Sequence, residues 1–171
     1  MPDNIRVGFS AFGFYGYPLE VIAERGREAA DALRNMGIQV TETDPMTSFD
    51  DVPSGLAQLA GKEYDAIIAC VIAWTETPVI VGILKDYLHL PILLWGRGGY
   101  TINGRLVSPA AQAGTSAALD TIKLLGAKSR YIYDYPDSPM SLDKVRNFCL
   151  VAKAVNTLAH ARIGMMGYAD M

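Results

Sequence analysis

Three short stretches hold the side chains best suited to meet a small molecule: SAFGFYGYP (10–18), AWTETP (73–78) and WGRGGYTINGRLVSP (95–109). Together they supply Ser10, Tyr15, Tyr17, Trp74, Thr75, Glu76, Arg97, Tyr100 and Arg105. Aromatic rings can cover the apolar face of a sugar or polyol while neighbouring hydroxyl, carboxylate and guanidinium groups bind its hydroxyls. Trp74 is the centre of that reading, with core packing as its other possible role. Glu76, after an apolar strand, is either a cap for the next helix or an acid facing a ligand. Arg97 and Arg105 are either solvated loop charges or contacts to a ligand or a second subunit.

Other chemistries find less support. A phosphate cradle needs several hydroxyls and backbone N–H groups at a helix start, yet the first loop offers only Ser10 among aromatics, and Pro18 removes an N–H. His89 and His160 are the two histidines, and neither has an acidic companion at a ligand-like helical spacing. No converging carboxylates suggest a divalent-cation site, so no metal ligand and no catalytic residue is assigned. No serine occupies a GxSxG elbow, and Cys70 sits between Ala69 and Val71 in an apolar run. Cys70 and Cys149 match neither a zinc nor a CxxC spacing and read as buried thiols.

The three stretches need elements to position them. Strand-like runs at 5–11, 38–43, 65–72, 90–95, 129–135 and 161–166 alternate with segments of helical period. The first helix is expected over 18–36, with Ile22, Gly26, Ala29, Leu33 and Met36 on one stripe and Gly37 ending it. Thr77 with Pro78 and Ser108 with Pro109 resemble helix caps followed by first-turn prolines, and Ser141 precedes a helix reaching about residue 159. This alternation, with apolar central strands, predicts an α/β three-layer sandwich around a mostly parallel, flavodoxin-like (Rossmann-like) sheet in the order 2-1-3-4-5. Ligands bind such sheets beyond the carboxyl ends of the strands, which is where the three stretches fall. The glycine-rich run 95–109 is expected to be one long connection.

The chain has 171 residues, half of them hydrophobic, enough for one domain with a sizeable core. Fifteen basic and eighteen acidic residues give a net charge of −3, which supplies no general field for a nucleic acid or an anionic membrane. The longest apolar run, 66–74, is about half of what a membrane-spanning helix requires. The opening MPDNIRVGF has no basic flank and apolar core of a secretory signal, so a cytoplasmic protein is expected.

The ordered set RVGFSAFGF, ACVIAWTETP, LPILLWGRGG and FCLVAKAVNTLAHARIGMMGYADM resembles the N-terminal domain of the L-fucose isomerase and L-arabinose isomerase family along the whole chain. The resemblance implies a flavodoxin-like N-terminal isomerase domain over 1–160. Residues 161–171 are then the start of a missing second domain, or else an added edge strand. It implies that the manganese ligands of full-length members lie in domains outside this chain, so this truncated domain is expected to be inactive alone. Its expected contribution to aldose–ketose isomerisation is oligomer contacts, as a homo-oligomer or with separately encoded isomerase domains, and one wall of the substrate pocket. Trp74 is the nearest match to the family's wall tryptophan. Ser10 stands where fucose isomerases have a substrate-touching arginine. The expected substrate-binding residues are Trp74, Ser10, Tyr15, Glu76, Arg97 and Tyr100. The alternative is a stand-alone flavodoxin-like binding module using the same three loops for an anionic cofactor.

Overall fold

The computed structural model describes residues 4–162 together with Gly164 and Gly167. Alternating apolar runs become five parallel strands: β1 (Arg6–Phe12), β2 (Gln39–Glu42), β3 (Ala66–Val71), β4 (Ile92–Arg97) and, after a hairpin described below, β7 (Ser129–Asp134). They are ordered β2-β1-β3-β4-β7, with Val7 beside Ala66, Ile67 beside Ile92 and Ile92 beside Ser129 in register. β3 is buried along its whole length because helices cover both faces of the sheet. The helices are α1 (Leu19–Asn35), α2 (Val52–Leu59), α3 (Thr77–Leu84), α4 (Ala111–Leu124) and α5 (Leu142–Ala159).

Two apolar layers result from the period-two alternation of the strands. Val7, Phe9, Ile68, Cys70, Leu93 and Trp95 meet α1 and α5 on one face. Ile67, Ala69, Val71, Ile92 and Leu94 meet α2, α3 and α4 on the other. In α1 the expected stripe is buried at Ile22, Gly26, Ala29 and Leu33. A Cβ on Gly26 would lie 2.7 Å from that of Ala11, so glycine sets the closest approach of helix to sheet. Gly37 closes the helix at φ +80°, its N–H donating to Arg34 O while Ile38 N–H reaches Leu33 O.

Several boundaries differ from the sequence reading. The stretch 95–109 is not one open connection: it contains a hairpin of β5 (Tyr100–Ile102) and β6 (Arg105–Val107), turned by Asn103 and Gly104 at φ +50° and +73°. An Asn-Gly pair with both residues left-handed matches the twist of a two-residue turn. Thr77 is already helical, and the capping position belongs to Glu76, whose side chain makes no capping bond. α4 begins at Ala111 after Ala110 at φ +52°, beyond the expected Ser108 and Pro109. The reason lies in tertiary structure, because Pro109 O accepts the Trp74 N–H at 2.6 Å and is held at the end of β3. Ser141 does precede α5, but it is its N–H, donated to Asp134 Oδ1, that fastens the start.

The expected strand at 161–166 and the unit 161–171 fall on residues outside those described, apart from Ala161, Arg162, Gly164 and Gly167. Among the described residues no helix is long and apolar enough to cross a membrane.

Candidate functional site

Strand order reverses between β1 and β3: β1 leads through α1 to β2 on one side, whereas β3 leads through α3 to β4 on the other. The helices after these two strands lie on opposite faces, so their exit loops part and leave a crevice at the carboxyl ends. The exit loops of β1 and β3 carry aromatic residues into it. Phe14 meets Trp74 edge-on, ring centroids 5.0 Å apart at 66°, and Tyr15 stands 4.1 Å from Phe14. Trp74 is 38% exposed and Tyr15 72% exposed. Beneath them the backbone is fixed, with Ile72 N–H donating to Phe12 O and Trp74 N–H to Pro109 O. The result is an aromatic ledge on a rigid base, open to solvent on one side.

The remaining expected site residues divide. Glu76 is exposed beside the ledge, at the entry to α3. Thr75 is buried, its hydroxyl without a partner in the protein. Ser10 is only 1% exposed inside β1, beside Ala69, and its hydroxyl also lacks a partner. It therefore lies below the rim, within the sheet, and not on a surface a ligand reaches. Arg105 is exposed on the hairpin.

Arg97 and Tyr100 come together through a residue the sequence reading passed over, Arg25 of α1. The Arg25 guanidinium donates to Gly98 O at 2.9 Å and lies 5.4 Å from the centre of the Tyr100 ring. Arg97 reaches back to donate to Arg25 O at 3.3 Å and pairs with Glu28 at 3.5 Å. Burial first, and the neighbouring Arg97 second, lower the Arg25 pKa from its ordinary value. At 7% exposure, Arg97 is a clamp between the end of β4 and α1 and not the solvated loop charge expected as one alternative. The clue to Arg25 was its place in the helix, directly before Gly26 on the buried stripe.

Tyr17, Val21, Ile72, Ala73, Tyr100 and Pro109 line a small apolar cleft of about 10 Å3, room for no more than about one water molecule. On the α5 side, Asp134 at the end of β7 accepts the Trp95 indole N–H at 2.8 Å and the Ser141 N–H at 3.0 Å. Nearby Cys70 is pushed up to about 12, chiefly by burial, and so is a neutral thiol rather than a nucleophile. Among the described residues no group of three or more His, Cys, Asp or Glu side chains is placed to hold a metal ion. The arrangement presents aromatic faces to the solvent side of the crevice.

No family model matches the chain, and no curated protein matches it.

Proposed function

We propose that this chain is a sugar-binding α/β domain of the L-fucose and L-arabinose isomerase kind. In this reading it supplies a pocket wall and subunit contacts for aldose–ketose isomerisation and does no chemistry alone. The single observation that carries the proposal is the aromatic ledge at the strand-order reversal, where half-exposed Trp74 sits on backbone pinned to β1 and to Pro109 ahead of α4. A sugar's C–H face lies against the indole while Glu76 binds its hydroxyls. Manganese and the groups that move protons belong to separate isomerase domains, with which the chain works in the cytoplasm.

The anionic-cofactor alternative is weaker on a specific point. The first helix opens with Pro18 as its cap and Glu20 in its first turn, so an N–H is missing and the turn already carries a negative charge.

Fluorescence titration of the Trp95→Phe variant, whose remaining indole is Trp74, tests the proposal. L-Fucose or L-arabinose is expected to shift Trp74 emission saturably, and Trp74→Phe in the wild-type background is expected to abolish the response. Absence of any response to either sugar, or yellow flavin absorbance in the purified protein, would overturn it. Mixing with isomerase domains lacking this unit, in the presence of manganese, should raise ketose formation above that of either component.

A further inference from the structure

Away from the crevice, the sheet ends at β7, whose outer edge has no partner strand among the described residues. Its hydrogen-bonding pattern shows which groups are free. Lys128 O accepts Ile92 N–H, and Asp134 O accepts Gly98 N–H, so the even-numbered residues turn toward β4. Alternation then directs the N–H and C=O of Ser129, Tyr131 and Tyr133 outward.

Both flanks of this edge are mostly apolar, although Lys128, Arg130, Lys144 and Asn147 also line the α5 side. On the α5 side lies a groove of about 510 Å3 whose floor includes Ile132, Phe148, Val151, Ala152 and Val155. Val151 and Val155, one turn apart, are 61% and 40% exposed. On the opposite face Tyr131 and Tyr133 stack in parallel, ring centroids 6.4 Å apart at 11°. A free edge between two apolar flanks is a template for another strand, and it carries no proline to block one.

Charge along the edge selects the occupant. Lys128 and Arg130 are exposed at the amino end of β7, while beyond its carboxyl end Asp137 is exposed and Asp143 is exposed beside Lys144. A second copy laid antiparallel brings the basic end of each strand beside the acidic end of the other. A parallel copy would set like charges together, which is unfavourable.

We infer that β7 pairs with β7 of a second copy, antiparallel about a two-fold axis near Ile132, to make a continuous ten-stranded sheet. In that register Tyr131 of one copy exchanges backbone hydrogen bonds with Tyr133 of the other, and Arg130 faces the acidic end of its partner. The two α5 helices close over the grooves through Val151 and Val155. This inference is independent of the sugar-site reading, because neither the ledge nor the cleft takes part in it.

Sedimentation velocity of the wild-type chain is expected to give twice 18.5 kDa. Val151→Glu/Val155→Glu replaces exposed helix residues, so folding measured by circular dichroism should persist while the dimer dissociates. Arg130→Glu should weaken the dimer at least about tenfold, the equivalent of ~1.4 kcal/mol, and adding Asp143→Lys should recover part of the loss. A wild-type chain that sediments as a monomer would overturn the inference. So would a dimer that neither the valine pair nor Arg130→Glu disturbs.

Discussion

Replacing Asp134 by alanine tests the packing logic beneath the crevice. Its carboxylate is 4% exposed and accepts two hydrogen bonds, from the Trp95 indole N–H at 2.8 Å and from the Ser141 N–H at 3.0 Å. Removing it strands the buried Trp95 indole N–H, while the part-buried Ser141 N–H can turn to water. An unsatisfied buried donor costs about 1–3 kcal/mol, so the substitution should cost about that much through the indole alone. Set against the ~5–15 kcal/mol that holds a domain together, this is a large fraction of the whole. The assay is urea denaturation followed by far-UV circular dichroism, because Trp95 is itself part of the experiment. Trp95→Phe, measured alone and with Asp134→Ala, completes a cycle. If the indole bond exists, the double variant should lose about 1–3 kcal/mol less than the sum of the single variants. Two results would refute the reasoning: Asp134→Ala within about 0.5 kcal/mol of wild type, or additivity within that margin.

Three further outcomes are expected. The thiols of Cys70 and Cys149 are pushed up to about 12, each chiefly by burial, so the folded state holds their protons more tightly than an unfolded chain titrating near 9.0. Their contribution to stability is therefore complete below pH 9.0 and lost as pH rises toward about 12; a Cys70→Ala/Cys149→Ala variant should show a shallower alkaline fall in urea midpoint than wild type. Asp65, fully buried, accepts bonds from Arg6 N–H, Lys153 and the Asn156 amide at 2.7 Å, so Asn156→Asp would oppose two carboxylates and should cost about 3 kcal/mol in urea denaturation. Gly104→Ala strains a residue at φ +73° by roughly 1–2 kcal/mol, and hydrogen exchange should show faster opening of the amides in β5 and β6 with little change in the central strands.

The order of the central sheet was legible in the sequence because each strand advertises its surroundings. AIIACV is apolar at every position since helices bury both faces, and the stripe through Ile22, Ala29 and Leu33 has one solution as a helix. The hairpin at 100–107 was hidden because its strands have three residues each and are rich in exposed side chains; the Asn-Gly pair was its one visible sign. The start of α4 could not be read locally, being set by the bond from Trp74 to Pro109. The same holds for Asp134, whose partner Trp95 is 39 residues distant in sequence. At the candidate site, residue types announced the aromatics, but the depth of Ser10 and the grip of Arg25 on Gly98 depend on contacts across the fold.

The pinned base of the ledge sets what can be altered there and what cannot. The main chain at Trp74 is tied to Pro109, and a Cβ added at Gly114 of α4 would stand 3.1 Å from the Thr75 nitrogen. Bulk gained at Gly114 is thus transmitted to the rim as displacement. The rings at positions 14, 15 and 74 can be exchanged freely by comparison, because their side chains project from a frame they do not build. The rings at those three positions can therefore change, in evolution or in the laboratory, while α4 must keep its slender turn at Gly114 for the frame to stay in place.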